Sequence, residues 1–352
     1  MKISQVSIRT LTCTLVLTLV VGLGLAQSGR RLPSANPSSA NSGADDTVKL
    51  RADEVLLNVT VMDPYGRQAT DLLKNDFIIA EDGQRQDIAS FLISAVPVNV
   101  VLMLDASGSV AGDIASLRAA AMNFLDKLGP EDKVSVIEFH SNVELIQDWT
   151  SKTDDVRHAL SWRFKPGMVR TKEGNSEYGS TALFDALYST ADEQLAKIQG
   201  RKAVILLTDG DDTSSKVTYQ QSLDALIRSG AVVYVVSKAQ QFIAQLRPYA
   251  GKMGTVAGTR GTAGVMIARF ENAERIMTDL ATRTGGRIYS PLRDEEMKDV
   301  YALVAHELKN QYILTYVSKN EQRDGRLRHV KVFLTRSGYE ARTRDSYYAP
   351  KN

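Results

Sequence analysis

The fold of this chain is decided by residues 97–110, PVNVVLMLDASGSV. Residues 98–104 form a mostly apolar run that is too short to span a bilayer and is typical of a strand buried on both faces. The run ends in Asp105, Ser107 and Ser109, which alternate along a turn that contains a glycine. Their hard oxygen atoms suit a divalent cation such as Mg²⁺, and no soft ligand is present. The same residue types also favour a helix N-cap, and this turn alone does not separate the two interpretations.

Two later stretches carry further oxygen donors. Thr181 follows a Gly-Ser pair and opens the helical pattern ALFDALYSTADEQLAKI. A second buried-strand run, residues 203–207 within KAVILLTDGDD, leads into a turn that contains Asp209. In a parallel sheet the C-terminal ends of neighbouring strands lie on one edge, so Asp105 and Asp209 could come together there.

A strand, an oxygen-rich turn and a helix, followed by a threonine and an aspartate from separate loops, resemble the metal-ion-dependent adhesion site of von Willebrand factor type A domains. The resemblance covers about residues 96–311. It implies a site for Mg²⁺, or for Mn²⁺ or Ca²⁺, whose open coordination position takes a carboxylate from a partner protein. By this resemblance the metal-site positions are Asp105, Ser107, Ser109, Thr181 and Asp209, and none of them departs from the family's pattern.

Alternation of buried strands with helices predicts an α/β fold with a doubly wound, mainly parallel sheet over residues 96–311. The pattern has a period of two in residues 48–95 and again in residues 312–352. Since the later strands cannot join the α/β core without crossing it, we expect the two terminal segments to pack together as a β-sandwich. The α/β domain would then be an insertion in that sandwich.

The order of these segments also resembles a bacterial family of exported von Willebrand-A-related proteins. The matching residues are Asp76-Phe77, Glu81-Asp82-Gly83, Gln311-Tyr312 and Tyr347 to Pro350. This resemblance implies an architecture rather than a biological role.

Two segments inside the α/β domain are predicted to be irregular. Residues 161–180 lead to Thr181, and residues 238–268 contain a Gly/Thr-rich centre typical of a loop. Both should emerge near the metal edge, where they could form a rim for a partner or be surface loops without that role.

The N-terminus predicts export. Lys2 and Arg9 precede an apolar run at residues 11–25, and Ala26 ends a small-residue site, as in a secretory signal peptide spanning residues 1–26. The alternative is an uncleaved signal anchor, although the apolar run is short for one. Residues 27–47 are polar and predict a flexible linker. We therefore expect a periplasmic or secreted protein of the bacterial cell envelope, with no stable membrane span after cleavage.

Charge and cysteine content exclude several functions. The single cysteine, Cys13, lies inside the signal peptide, so the mature chain has neither a disulfide nor a catalytic thiol. Loss of Lys2 and Arg9 reduces 43 basic residues to 41, equal to the 41 acidic residues. A mature chain near neutrality argues against nucleic-acid binding.

Three classes of function fit these features to different degrees. The first is a binding module that captures a protein with an exposed acidic residue, and the second is a metal-dependent hydrolase. The sequence argues against an enzyme because no histidine lies near the three motif segments and no GxSxG motif is present. His140 and His158 follow no metal-ligand spacing and are predicted to be structural. The third class is a scaffold without metal dependence.

Acidic residues next to the site receive supporting roles. Asp211 and Asp212 are predicted to lie in a solvated acidic turn or to cap a helix. Asp185 lies one helical turn after Thr181 and is predicted to support that loop.

Overall fold

The structure is a computed structural model that describes residues 54–93, 96–108, 114–164, 168–170, 176–178, 180–250 and 259–351. The predicted signal peptide and linker lie outside these residues, as does Ser109, and remain predictions. None of the helices in the described ranges is both long enough and apolar enough to cross a membrane.

Helices and strands alternate through the middle of the chain. The strands are β1 (Glu54–Met62), β2 (Phe77–Glu81), β3 (Gln84–Gln86), β4 (Ile88–Ile93), β5 (Val98–Asp105), β6 (Lys133–Phe139), β7 (Val143–Thr150), β8 (Met168–Arg170), β9 (Ser176–Tyr178), β10 (Arg201–Thr208), β11 (Val232–Ser237), β12 (Ile288–Tyr289), β13 (Tyr312–Val317), β14 (Leu327–Leu334), β15 (Glu340–Arg342) and β16 (Ser346–Tyr348). The helices are α1 (Ile114–Leu125), α2 (Thr153–Trp162), α3 (Leu183–Ser189), α4 (Tyr219–Ser229), α5 (Ala239–Ala250), α6 (Thr259–Arg283) and α7 (Met297–Lys309).

The central sheet has the strand order β12-β11-β10-β5-β6-β7. All neighbouring pairs are parallel except β6 and β7, which form an antiparallel hairpin at one edge. Both faces are covered, so the middle strands are apolar on both sides. Side chains of β5 such as Leu102 pack with α1, α2 and α7 on one face, while Met103 packs with α3, α4 and α6 on the other. The doubly wound α/β prediction is confirmed.

The terminal strands form two antiparallel sheets that share one core. One sheet has the order β15-β1-β13-β4, and the other has the order β16-β14-β2-β3. Phe77 of β2, Phe91 of β4 and Tyr312 of β13 pack as an aromatic cluster between the sheets, with ring centroids 4.9–5.8 Å apart. The additional β-sandwich predicted from both ends of the chain is therefore confirmed.

A buried polar network joins the sandwich to the start of β10. The Arg201 guanidinium is buried there and donates to Asn58 Oδ1 (3.2 Å), to Gln311 Oε1 (2.8 Å) and to two backbone carbonyls. Glu307 of α7 accepts from the Tyr234 hydroxyl at 2.8 Å. The network joins β1, β10, α7 and the residue before β13 through hydrogen bonds.

Parts of the two segments expected to be irregular form regular structure, so the prediction is wrong for those parts. Residues 165–167, 171–175, 179 and 251–258 lie outside the described residues. Residues 168–170 and 176–178 pair as a short antiparallel ladder between β8 and β9. Within residues 238–268, α5 and the first part of α6 are helical. Phe242 and Phe270 stack between them at 5.2 Å, and this contact stabilises a helical pair in spite of its glycines and Pro248.

Candidate metal centre

The turn after β5 is anchored on the neighbouring strand. Ala106 N donates to Phe139 O at the end of β6 (2.8 Å). Asp105 is fully buried, and its Oδ1 accepts from Ser107 N at 2.9 Å, which tightens the turn. Ser107 is also buried. The sequence Asp-Ala-Ser thus fixes two oxygen-bearing side chains at the C-terminal edge of the sheet.

The end of β10 lies beside this turn. Leu207 pairs with Leu104 of β5, which brings Thr208 next to Asp105. The Thr208 hydroxyl donates to Asp105 Oδ2 at 2.6 Å and accepts from Gly210 N at 2.9 Å. Asp209 is buried at 1% exposure, and its Oδ1 accepts from Asp211 N at 3.0 Å. Both predicted carboxylates are therefore buried at the same edge.

Backbone hydrogen bonds bring the Thr181 loop to this edge. Ala182 N donates to His140 O at 2.7 Å, just beyond β6. On the other side, Thr181 O accepts from Thr213 N (2.9 Å) and from Ser214 N (3.0 Å) in the loop after β10. Thr181 N in turn donates to the Thr213 hydroxyl at 2.8 Å. Thr181 is thus held between the same two strand ends that flank Asp105.

His140 lies closer to the site than the sequence suggested. Its carbonyl holds the Thr181 loop, so the expectation that no histidine lies near the motif segments is wrong in space. Its ring Nδ1 lies 3.0 Å from the Ser141 hydroxyl and accepts from Asn142 N at 3.4 Å. The ring therefore bonds within its own turn.

Two acidic residues near the site, Asp212 and Asp185, accept hydrogen bonds from backbone N–H groups. Asp212 Oδ1 accepts from Leu183 N at 2.8 Å and therefore caps the start of α3 from outside the helix. Asp185 Oδ1 accepts from Lys216 N (2.8 Å) and Val217 N (2.9 Å), so it supports the loop that follows β10.

Helix α6 packs directly over the Asp209 turn. Gly210 has φ +79, and a Cβ atom there would approach Met277 Cγ to 3.1 Å and Ala273 Cβ to 3.3 Å. Glycine is therefore required for both backbone conformation and space. Arg269 of α6 donates to both carboxylate oxygens of Asp211, at 2.7 and 3.0 Å.

Two buried carboxylates at one edge repel each other, and a bound cation would offset this repulsion. Burial and, after it, the charge of Asp209 raise the pKa of Asp105 to about 7, against the hydrogen bonds from Ser107 and Thr208. A divalent cation would lower this pKa by compensating both charges. Carboxylate and hydroxyl oxygens suit Mg²⁺, Mn²⁺ or Ca²⁺, so the residues present fit such an ion. The described residues contain no group of three or more His, Cys, Asp or Glu side chains suited to a metal. A cation site at this edge would therefore need the hydroxyl oxygens of Ser107 and Thr181 as well as the two carboxylates.

Four of the five predicted metal-site residues are described, and all four lie at this edge. They are Asp105, Ser107, Thr181 and Asp209. The sequence did not single out Thr208, whose hydroxyl donates to Asp105, or Lys238, whose backbone N donates to Thr208 O at 3.0 Å. Thr208 ends β10 immediately before Asp209, and this position in the sequence could have indicated that it lies at the site.

A sequence model of the von Willebrand factor type A domain matches residues 99–263. This chain carries a von Willebrand factor type A domain. The matched range includes the turn after β5, the Thr181 loop and the end of β10, so the resemblance inferred from these three segments is confirmed. Type A domains commonly mediate protein–protein interaction, and they usually bind a divalent cation at a metal-ion-dependent adhesion site.

Curated relatives are similar over one segment of the chain. Inter-alpha-trypsin inhibitor heavy chain H4 from Bos taurus is 30% identical over 131 residues, covering 34% of this chain. The same protein from Sus scrofa is 28% identical over 122 residues, again covering 34% of this chain. In both cases the match spans 13% of the relative's length.

Two solved structures are similar to parts of this chain. A von Willebrand factor type A protein from Catenulispora acidiphila is 10% identical, with a TM-score of 0.42, and the match covers 86% of this chain and 76% of that one. Proximal thread matrix protein 1 from the mussel byssus, solved with a zinc-occupied MIDAS motif, is 16% identical with a TM-score of 0.40. That match covers 65% of this chain and 49% of the mussel protein.

Proposed function

We propose that this chain is an exported binding module that captures a protein partner through a divalent cation held at the type A domain. Asp105, Ser107, Ser109, Thr181 and Asp209 would hold the cation, directly or through water. Mg²⁺ or Mn²⁺ is expected, with Ca²⁺ as an alternative. The observation that carries the proposal is the placement of two buried carboxylates and two hydroxyl-bearing residues at one edge of the sheet.

The coordination number supports a role in binding. Mg²⁺ prefers six oxygen ligands, and five side chains leave at least one position for water or for an oxygen of another molecule. Because only two of the five side chains are carboxylates, the cation keeps part of its positive charge. A carboxylate of a partner protein is therefore the preferred ligand at the open position.

A hydrolase remains the rival function, and His140 is the feature that would favour it. A general base must reach the water that it activates. The recorded contacts of the His140 ring are made by Nδ1, with Ser141 and Asn142 in its own turn. We therefore expect a binding module that does not turn over ester or phosphate substrates in Mg²⁺.

Partner capture from envelope extract tests the proposal. Wild-type protein should retain a partner in Mg²⁺ and lose it when the metal is chelated. Asp105→Ala should lose the partner in both conditions while remaining folded, whereas Asp211→Ala should retain it. Capture that survives chelation in the wild type would contradict the proposal. Turnover of a generic ester that disappears in His140→Gln would instead favour the hydrolase.

A further inference from the structure

A cavity with a cationic lining lies beside helix α4, which packs on the face of the central sheet opposite α1 and α7. It has a volume of about 470 Å³ and is bounded by the end of α4, the start of β1, the loop between β13 and β14, and β16. Four arginines and two glutamates line it: Arg228, Arg323, Arg328, Arg344, Glu54 and Glu321. The lining therefore carries a net positive charge.

The charge of Arg328 is already compensated. Its Nη1 lies 3.3 Å from Glu81 Oε1 and donates to the Ser318 hydroxyl (2.9 Å) and to Asn320 O (2.7 Å). Its Nη2 donates to Gln322 O. Arg328 thus holds the loop between β13 and β14 as one wall of the cavity and has little capacity left for a ligand.

The guanidinium of Arg344 makes fewer hydrogen bonds than that of Arg328. Its Nη2 donates to Leu56 O at 2.8 Å, while its Nε is buried without a hydrogen-bond partner. Its guanidinium lies 5.5 Å from the centre of the Tyr347 ring, and none of the ion pairs among the described residues includes it. Burial lowers the pKa of Arg344. A desolvated cation without a counter-charge is costly, so an anion in the cavity would be stabilised by it.

Two more arginines stand at the mouth of the cavity. The Arg228 guanidinium lies 3.4 Å from the centre of the Tyr348 ring, which holds it by a cation–π contact. Arg323 lies on the exposed loop across from it. Within the described ranges neither one pairs with a carboxylate. Both can therefore contribute charge to a ligand that reaches Arg344.

We propose that this cavity binds a small molecule through an oxyanion group, a carboxylate or a phosphate, with Arg344 as the inner contact and Arg228 and Arg323 at the mouth. The planar guanidinium fork matches both anions. The volume lies within the range of small-molecule sites. A ligand here would touch α4 of the type A domain together with β1 and β16 of the sandwich, and would stabilise their contact.

Calorimetric titration with inorganic phosphate and, separately, with citrate tests the proposal and distinguishes the two anions. Metals should be removed on a chelating resin, because soluble chelators are themselves polycarboxylates and because both probes bind divalent cations. Arg344→Gln should weaken binding of the preferred anion by at least about tenfold, the loss expected for a charged hydrogen bond. Arg228→Gln, on the exposed mouth, should weaken it by about threefold to tenfold. The matched control is Arg293→Gln, an exposed arginine paired with Glu296 far from the cavity in sequence.

Several outcomes would overturn the proposal. One is that wild-type protein binds neither anion at millimolar concentration, and another is that Arg228→Gln binds as tightly as the wild type and the control. Arg228→Gln decides the matter if Arg344→Gln fails to fold.

Discussion

The two ends of strand β10 place charged groups in the protein interior in opposite ways. At its start, Arg201 donates to acceptors from β1, α7 and Gln311, so its buried charge is surrounded by hydrogen-bond partners of the protein. At its end, Asp209 lies beside Asp105, and like charges oppose each other at one edge. Both ends are buried, yet only the second gains from an added ion.

This difference separates a structural network from a binding site. A buried charge with complete hydrogen bonding stabilises one arrangement of the chain and needs nothing further. Two buried carboxylates favour either a shared proton or a cation. Mutations at the start of β10 should therefore lower the free energy of unfolding. Mutations at its end should change the metal affinity and the pH dependence of stability.

The largest expected effect is at the start of the strand. Arg201→Met removes the donor to Asn58, Gln311 and two backbone carbonyls, and leaves these buried acceptors without it. With about 1–3 kcal/mol for each buried group left unsatisfied, the free energy of unfolding should fall by at least about 3 kcal/mol. Urea denaturation measures it. The exposed control Arg293→Met should lower the free energy of unfolding by less than about 1 kcal/mol. Equal losses in the two variants would contradict a stabilising role for the Arg201 network.

The end of the strand should show a pH dependence in metal-free protein. Burial and the charge of Asp209 raise the pKa of Asp105 from 3.8 to about 7, so the folded state binds a proton that the unfolded chain has released. That stabilisation is complete below pH 3.8 and is lost as the pH rises through about 7. The free energy of unfolding of the wild type, relative to that of Asp105→Asn, should fall by about 3 kcal/mol between pH 5 and pH 8. A constant difference between the two proteins would contradict the raised pKa.

Thr208 should connect the fold to the metal site. Thr208→Val keeps the shape of the side chain but removes the hydroxyl that donates to Asp105 Oδ2 and accepts from Gly210 N. Loss of such a supporting contact should weaken Mn²⁺ binding by about tenfold or more. Titration of the metal-free protein with Mn²⁺ measures this. An unchanged Mn²⁺ affinity would show that the Thr208 hydroxyl links β10 to β5 without supporting the metal site.

The smallest effect is expected for Asp211. It lies two residues after Asp209 but pairs with Arg269 of α6, partly exposed to solvent. Asp211→Asn should therefore change stability by less than about 1 kcal/mol. Mn²⁺ affinity, measured in the same titration, should fall much less than in Thr208→Val. A loss equal to that of Thr208→Val would place Asp211 in the metal site.

Features that depend on local sequence could be predicted. The apolar runs of β5 and β10, each followed by an acidic turn, indicate buried strands whose ends meet at one edge. The positions of Asp105 and Asp209 follow from that rule alone. The period-two patterns at both ends of the chain likewise indicated strands that had to pair outside the α/β core.

Features that depend on distant partners could not be predicted. Arg201 is an arginine at the start of a strand, and its burial follows from acceptors in residues 58, 96, 308 and 311. Residues 238–268 suggested a loop because their centre is rich in glycine and threonine. Their helices depend on the Phe242–Phe270 contact, which no local propensity reveals.

Thermal unfolding with and without Mg²⁺ tests the metal site most directly. The measurement compares the wild type with Asp105→Ala, both starting from metal-free protein. Mg²⁺ at about 100 times its dissociation constant should stabilise the wild type by roughly 2.7 kcal/mol. Asp105→Ala should unfold at the same temperature with and without Mg²⁺ while remaining folded at room temperature. A wild type that unfolds at one temperature in both conditions would contradict a cation site at the end of β10.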